Sequence, residues 1–245
     1  MLRLLAVLLA FAMPAAARAA DTQVAVAANF TEPAKAIAAA FARATGHRAV
    51  LSFGASGAFY TQIRHGAPFD LFLSADAERP ARAEADGLAV PGSRFTYATG
   101  RLVLYSARPG LVDRGGGVLR RGGFERIAIA DPATAPYGLA AMQAMDRLGV
   151  AATLAPRLVR GSSITQAYQF VATGAAELGF VALSQVADRP GGSRWLVPAR
   201  LHAPIDQQAV LLRTGAANPA AIAFLRFLRS GPALRIVRRY GYATR

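Results

Sequence analysis

The stretch SFGASGAFY, residues 52–60, joins two kinds of local structure across four small residues. Arg48 to Phe53 has the β-branched and apolar content of a strand. Ala58 to His65 carries Phe59 and Ile63 four residues apart, one face of a helix closed by Gly66. Gly54-Ala55-Ser56-Gly57 between them reads as a tight strand-to-helix turn. Such a turn can present a serine nucleophile, cradle an anion on its free N–H groups, or simply start a helix.

Outward from this turn the same grammar recurs. Val24 to Ala27 is a strand candidate that runs through Asn29-Phe30-Thr31-Glu32-Pro33 into a helix with Ile37 and Phe41 inward, ending at Gly46. Asn29 or Thr31 can cap that helix, Glu32 stands at capping-box spacing from Asn29, and Pro33 is tolerated in a first turn. Asp70 to Ser74 and Leu102 to Tyr105 are further strands, with a crossing point near Gly100, and the glycine-rich segment 108–123 reads as a surface loop. Ile127 to Ala130 leads into a helix near Tyr137, with Leu139, Met142, Met145 and Leu148 at helical spacing and Gly149 at its end. The methionines read as core filler. Ser163-Ile164-Thr165-Gln166 is a capping box opening a helix that runs to Gly174. Leu178 to Leu183 and Gln208 to Leu212 are strands, and Asn218-Pro219 and Pro232 open the last helices. Strand alternating with helix predicts an α/β protein with parallel strands. Four strand ends feed helix starts, around Asn29, Ser56, Tyr137 and Ser163-Ile164. In open parallel sheets ligands bind at such ends, and each free helix start offers unpaired N–H groups and a positive dipole end.

Composition narrows the function classes. The 245-residue chain can form two lobes with proper cores. Met1-Leu2-Arg3, an apolar run from Leu4 to Ala12, and Ala17-Arg18-Ala19-Ala20 follow the order of a secretory signal peptide, with cleavage expected after Ala19 or Ala20. The apolar run is too short for a membrane anchor. The absence of cysteine excludes disulfides, thiol catalysis and thiolate metal sites, and a lipid anchor on a cysteine after the signal is not expected. The net charge is +14, or +12 without Arg3 and Arg18, but Lys35 is the single lysine and the arginines are scattered, with no aromatic-interleaved basic stripe. Nucleic acid is therefore not an expected partner.

Catalytic and cofactor motifs fail one by one. Gly54-Ala55-Ser56-Gly57-Ala58 lacks the second glycine of G-x-S-x-G, and His47, His65 and His202 are isolated. No glycine precedes a lysine as a phosphate loop requires, and Gly115 and Gly117 are followed by Arg120 where a dinucleotide fingerprint needs glycine. No metal-ligand spacing occurs. Asp70 and Asp76, roughly 20 Å apart along an extended segment, do not make a carboxylate dyad. These motifs give no support to an enzyme or to a cofactor, and leave Ser56 as a nucleophile disfavoured.

Several segments together resemble the periplasmic molybdate-binding proteins of ABC transporters: VAVAANF (24–30), SFGASGAFYTQIRHGAPFDLFLSAD (52–76), ADPATAPYGLAA (130–141), GSSITQAYQFVATGAAELGFVALSQV (161–186) and RRYGY (238–242). The resemblance spans nearly the whole mature chain. It implies a type II periplasmic-binding fold, two α/β lobes with a ligand cleft between them, with 21–99 plus 208–245 as one lobe, 100–207 as the other, and 1–20 as signal peptide. It places the oxyanion ligand on Ala28, Asn29, Ser56, Tyr137 and Ile164, through neutral donors: the Ser56 hydroxyl, the Asn29 amide and backbone N–H groups, with no protein ligand to the molybdenum itself. The better-known branch has serine at the first position and a tyrosine where Ala182 stands; this chain resembles a second branch with asparagine and without that tyrosine. The resemblance implies a periplasmic monomer that captures molybdate, and tungstate, and hands it to an inner-membrane permease. The competing expectations are another tetrahedral oxyanion such as sulfate on the same fold, and a secreted serine hydrolase built on Ser56.

Overall fold

The computed structural model describes residues 19–244, so the expected signal segment lies, apart from Ala19 and Ala20, outside the described residues. The chain first builds β1 (Asp21–Ala27), a single 3-10 turn (Ala28–Phe30), α1 (Thr31–Thr45), β2 (Arg48–Gly54), α2 (Ser56–Arg64), β3 (Leu71–Leu73), α3 (Glu78–Ala85) and β4 (Phe95–Gly100). It then crosses at Arg101 into β5 (Leu102–Ser106), α4 (Val118–Arg121), β6 (Ile127–Ala130), α5 (Pro136–Arg147), α6 (Ala151–Leu154), β7 (Leu158–Gly161), α7 (Ile164–Ala172), β8 (Leu178–Ala182), α8 (Leu183–Val186) and β9 (Ser193–Leu196). It returns through β10 (Ile205–Leu211) and ends in α9 (Pro219–Phe227) and α10 (Gly231–Arg239).

Two five-stranded sheets result, in the orders β2-β1-β3-β10-β4 and β7-β6-β8-β5-β9. The expected strand-helix alternation is present, but the sheets are mixed rather than parallel. β1, β2 and β3 run parallel, as do β6, β7 and β8, whereas β10 pairs antiparallel with β3 and β4, and β5 antiparallel with β8 and β9. β5 and β10 are the strands by which the chain enters each lobe from the other, so they approach their sheets from the cleft side and run against the rest.

Each sheet buries its apolar residues under helices. α1 sets Ile37 and Phe41 into the first core beside Phe224, and α2 sets Phe59, Tyr60 and Ile63 against Phe72 and Val210. Full burial of a side chain such as Phe41 contributes about 1.5–3 kcal/mol. α5 turns Ala140, Ala141, Ala144 and Met145 inward, while Leu139, expected on the buried face, is 49% exposed. The row of alanines makes a narrow face that packs close to the sheet and leaves Leu139 outside it. The loop expected at 108–123 contains α4, which buries Val118 and Leu119; the Asp113 carboxylate accepts the N–H groups of Gly115, Gly117 and Val118 and is held well below the usual carboxylate range chiefly by the Gly117 N–H and by Arg121. Because β1, β2, β6 and β7 all end toward the other lobe, their helix starts converge on the cleft.

Candidate functional site

A small cavity lies between the lobes, lined by Ala27, Ala28, Asn29, Gly54, Ala55, Ser56, Ala75, Ala135, Pro136, Tyr137 and Ile164. The structure thus brings together all five residues on which the resemblance places the ligand, Ala28, Asn29 and Ser56 from one lobe and Tyr137 and Ile164 from the other. All five are buried. Ala27, Gly54, Ala55, Ala75, Ala135 and Pro136 complete the lining with small or rigid groups.

The helix starts at this cavity are distinctive in their caps. The residues before the 3-10 turn, α2 and α5 are Ala27, Ala55 and Ala135, and none supplies a side-chain cap. Alanine is among the poorest N-caps. Away from the cleft, Asn218 caps α9 through Ala220 N–H at 3.0 Å and Ser230 caps α10 through Ala233 N–H at 3.4 Å. The cavity therefore receives first-turn N–H groups that a helix cannot satisfy internally, together with the positive ends of the helix dipoles. In α5 Pro136 occupies the first position and has no N–H, so Tyr137 N–H is the leading donor. In α7 Ser163 Oγ accepts Gln166 N–H at 3.3 Å, a bond to the third residue of the helix rather than to Ile164 at its start. Gln166 Oε1 reaches back to Ser162 N–H at 2.6 Å, one residue earlier than a capping box would place it.

Neither Ser56 nor Asn29 caps a helix. Ser56 is the first residue of α2 and its Oγ accepts Ala75 N–H at 2.9 Å, which leaves its own proton to donate. The residue before α1 is Phe30, without a side-chain cap, so neither Asn29 nor Thr31 caps that helix; Thr31 Oγ1 instead donates to Ala28 O at 2.8 Å. The Asn29 amide, expected to face the anion, has its N–H groups engaged within the protein: Nδ2 donates to Gln207 Oε1 and to the Tyr242 hydroxyl, both at 2.9 Å. What Asn29 offers the cavity is its position on the 3-10 turn. Ala182 is fully buried at the end of β8 and is not among the lining residues.

Behind the cavity lies a buried polar network that the sequence reading did not single out. Gln207 Oε1 accepts from Asn29 and from the Tyr97 hydroxyl at 3.0 Å, while Gln207 Nε2 donates to the Tyr137 hydroxyl at 3.2 Å. The Tyr242 hydroxyl lies 2.7 Å from Asn29 O and 2.9 Å from Ser184 Oγ, and Ser184 Oγ donates to Asn29 O at 2.8 Å. Burial raises the Tyr97 and Tyr137 phenols well above their ordinary range and Tyr242 to about 12, so the hydroxyls stay protonated donors. The only sequence signal was a polar pair, Gln207-Gln208, inside an apolar strand.

The lobes also meet along the cleft rim. Gly57 N–H donates to Thr134 O at 2.8 Å, Arg79 Nη2 to Ala133 O at 3.1 Å, and Thr165 Oγ1 to Ala28 O at 3.4 Å. Among the described residues no charged side chain lines the cavity. Its lining is neutral, with helix-start N–H groups and the Ser56 hydroxyl as donors, and lobe-to-lobe contacts close it.

Comparison with known proteins agrees with this architecture. Residues 22–243 match the family model described as bacterial extracellular solute-binding protein. The molybdate-binding protein ModA of Rhodobacter capsulatus is 58% identical over 240 residues, covering 98% of this chain and 94% of that protein. ModA of Azotobacter vinelandii is 52% identical over 243 residues, with 98% and 96% covered. The solved periplasmic molybdate-binding protein of Azotobacter vinelandii superposes with a TM-score of 0.89 at 44% identity, covering 91% of this chain and 99% of that one. The chain belongs to the bacterial extracellular solute-binding proteins and, within them, to the ModA molybdate-binding family.

Proposed function

We propose that the inter-lobe cavity captures molybdate, and tungstate with it, as the periplasmic component of an ABC transporter, and that the closed protein delivers the anion as a monomer to an inner-membrane permease. The observation that carries this reading is the convergence of uncapped helix starts on one small cavity without a charged side chain. The ligand residues are Ala28, Asn29, Ser56, Tyr137 and Ile164, acting through backbone N–H groups and the Ser56 hydroxyl. Hydrogen bonds to a charged group contribute about 1.5–3 kcal/mol each, so several together support micromolar or tighter binding after ordering costs. A site lined by donors favours an anion without a proton of its own, such as molybdate, tungstate or sulfate. Among these, cavity size selects.

The chain is exported by the segment ending at Ala19 or Ala20, and the lobes, expected as 21–99 with 208–245 and 100–207 but with Gly100 in β4 and Ile205 to Gln207 in β10 of the first sheet, close by hinge motion over the ligand. The hydrolase alternative is disfavoured by the surroundings of Ser56: its Oγ is engaged by Ala75 N–H, while His47, His65 and His202 bond to Ala20, Thr61 and Ala203. A thermal-shift panel of molybdate, tungstate, sulfate and phosphate tests the reading. Stabilisation by molybdate and tungstate is the expected result. Stabilisation by sulfate alone reassigns the protein to that anion, and stabilisation by none of the four refutes the oxyanion site.

A further inference from the structure

Gln207 stands where the two halves of the site meet. It is fully buried in β10, the strand by which the chain re-enters the first lobe. The β10–β4 ladder slips at this point, from Gln207 opposite Ala98 to Gln208 opposite Thr96, so that Tyr97 is the extra residue. A bulge of this kind re-aims side chains, and here the Tyr97 hydroxyl reaches Gln207 Oε1. The rings of Tyr97 and Tyr242 are fixed edge-on against Phe30, with centroids 4.8 and 5.3 Å away. The amide thus receives donors from Asn29 and Tyr97 of the first lobe and gives one to Tyr137 of the second. Asn29 and Tyr137 are the residues that line the cavity from opposite sides.

A second observation bears on the same bond. Gly100, at the end of β4, has no room for a side chain: a Cβ there would lie 2.1 Å from the Tyr137 hydroxyl and 2.7 Å from Gln207 Nε2. Its φ is not in the left-handed region, so the need for glycine at this position is one of space. The bond between Gln207 and Tyr137 is seated directly on the backbone where the chain leaves the first lobe.

We propose that Gln207 is a positioning residue for the anion site: its amide ties Asn29 to Tyr137 and holds the two lobes at the spacing at which both reach the ligand. This rests on the oxyanion reading of the cavity. The amide acts through its neighbours, since Gln207 is not among the residues that line the cavity.

Titration calorimetry of the mature protein with molybdate tests it in Gln207→Leu, Tyr137→Phe, their double variant and Gly100→Ala. Each single change is expected to weaken binding by about 10- to 100-fold, and the double variant to be no weaker than the weaker single, because both remove the same bond. A residue that only supports the fold would lower the melting temperature and leave the affinity of the folded protein unchanged. Wild-type affinity in Gln207→Leu, or losses that simply add, overturns the proposal. Should Gln207→Leu fail to fold, Tyr137→Phe and Gly100→Ala retain the glutamine and decide the matter, wild-type affinity in both being the contrary result. If the wild-type protein binds no molybdate, the oxyanion reading fails instead. Small-angle scattering without ligand then tests the coupling alone: wider particles in Gly100→Ala and Tyr137→Phe support it, and unchanged dimensions overturn it.

Discussion

Ala75 N–H donates to Ser56 Oγ at 2.9 Å, joining the end of β3 to the start of α2 and fixing a hydroxyl whose own proton is left for the cavity. Ser56→Ala removes one proposed donor to the anion and strands the Ala75 N–H, a buried group. The expected result is a loss of about 1–3 kcal/mol in molybdate binding by calorimetry, with a lower melting temperature of the unliganded protein. Unchanged affinity would contradict the assignment of Ser56.

Gly57, next in α2, sits where the lobes touch. A Cβ there would lie 2.9 Å from Thr134 Cα and 3.0 Å from Thr134 O, and backbone cannot rotate aside as a side chain can. Gly57→Ala is therefore expected to wedge the lobes apart, at about 1–3 kcal/mol of the closed state, or roughly 5- to 150-fold in affinity. Small-angle scattering should show a wider liganded particle. A variant that closes and binds like the wild type would show that this contact does not set the closed spacing.

The neutral donor lining gives a pH signature. Molybdate, fully deprotonated at neutral pH, should bind with nearly constant affinity across the neutral range, since among the described residues no charged side chain lines the cavity. Phosphate carries a proton with no acceptor to meet it, an unpaired group costing about 1–3 kcal/mol. Its competition should strengthen as pH rises through its second ionisation. Competition titrations at several pH values decide this, and phosphate binding that is indifferent to pH would argue for an acceptor in the site.

Tyr97, Tyr137 and Tyr242 have folded-state pKa values raised above the ordinary phenol value, the last to about 12, mainly by burial. A raised folded pKa contributes stability that is fully present below the unfolded value, near 10, and is lost as pH climbs through the folded values. Stability should hold through neutral pH and fall above about pH 10. An ultraviolet titration should leave three phenols un-ionised until the fold gives way. Early ionisation of all the tyrosines would show that the network is open to water.

Much of the lobe architecture was legible locally. The strand-to-helix turns at Ser56 and Tyr137, the buried Ile37, Phe41, Phe59 and Ile63, and the glycine stop at Gly46 follow from composition and spacing within a dozen residues. β4, β9 and α3 were not read. β4 (FTYATG) and β9 (SRWL) are edge strands with mixed polarity, held by partners far along the chain, and α3 has too few apolar positions to show a face. β10 begins at Ile205, three residues before the apolar run suggests, because its first part pairs with β4. The antiparallel direction of β5 and β10 depends on which lobe each strand comes from, and no short window contains that.

The sequence by itself determined that this chain alternates strand and helix, that its helix starts carry small residues, and that four of those starts follow strand ends. These are local matters, set by backbone preference and side-chain period. Only the tertiary structure decided what Asn29 and Gln207 do. Their amides meet across 178 residues of chain, and Tyr242 reaches Asn29 across 213. A polar side chain takes its partners from whatever the fold brings within about 3 Å of it, so Asn29, a plausible cap or anion donor on paper, spends its amide behind the cavity. The Gly54-Ala55-Ser56-Gly57 turn is a helix start by its own residues, and its proposed role as an anion cradle depends on the opposite lobe, which brings the starts of α5 and α7 to face it.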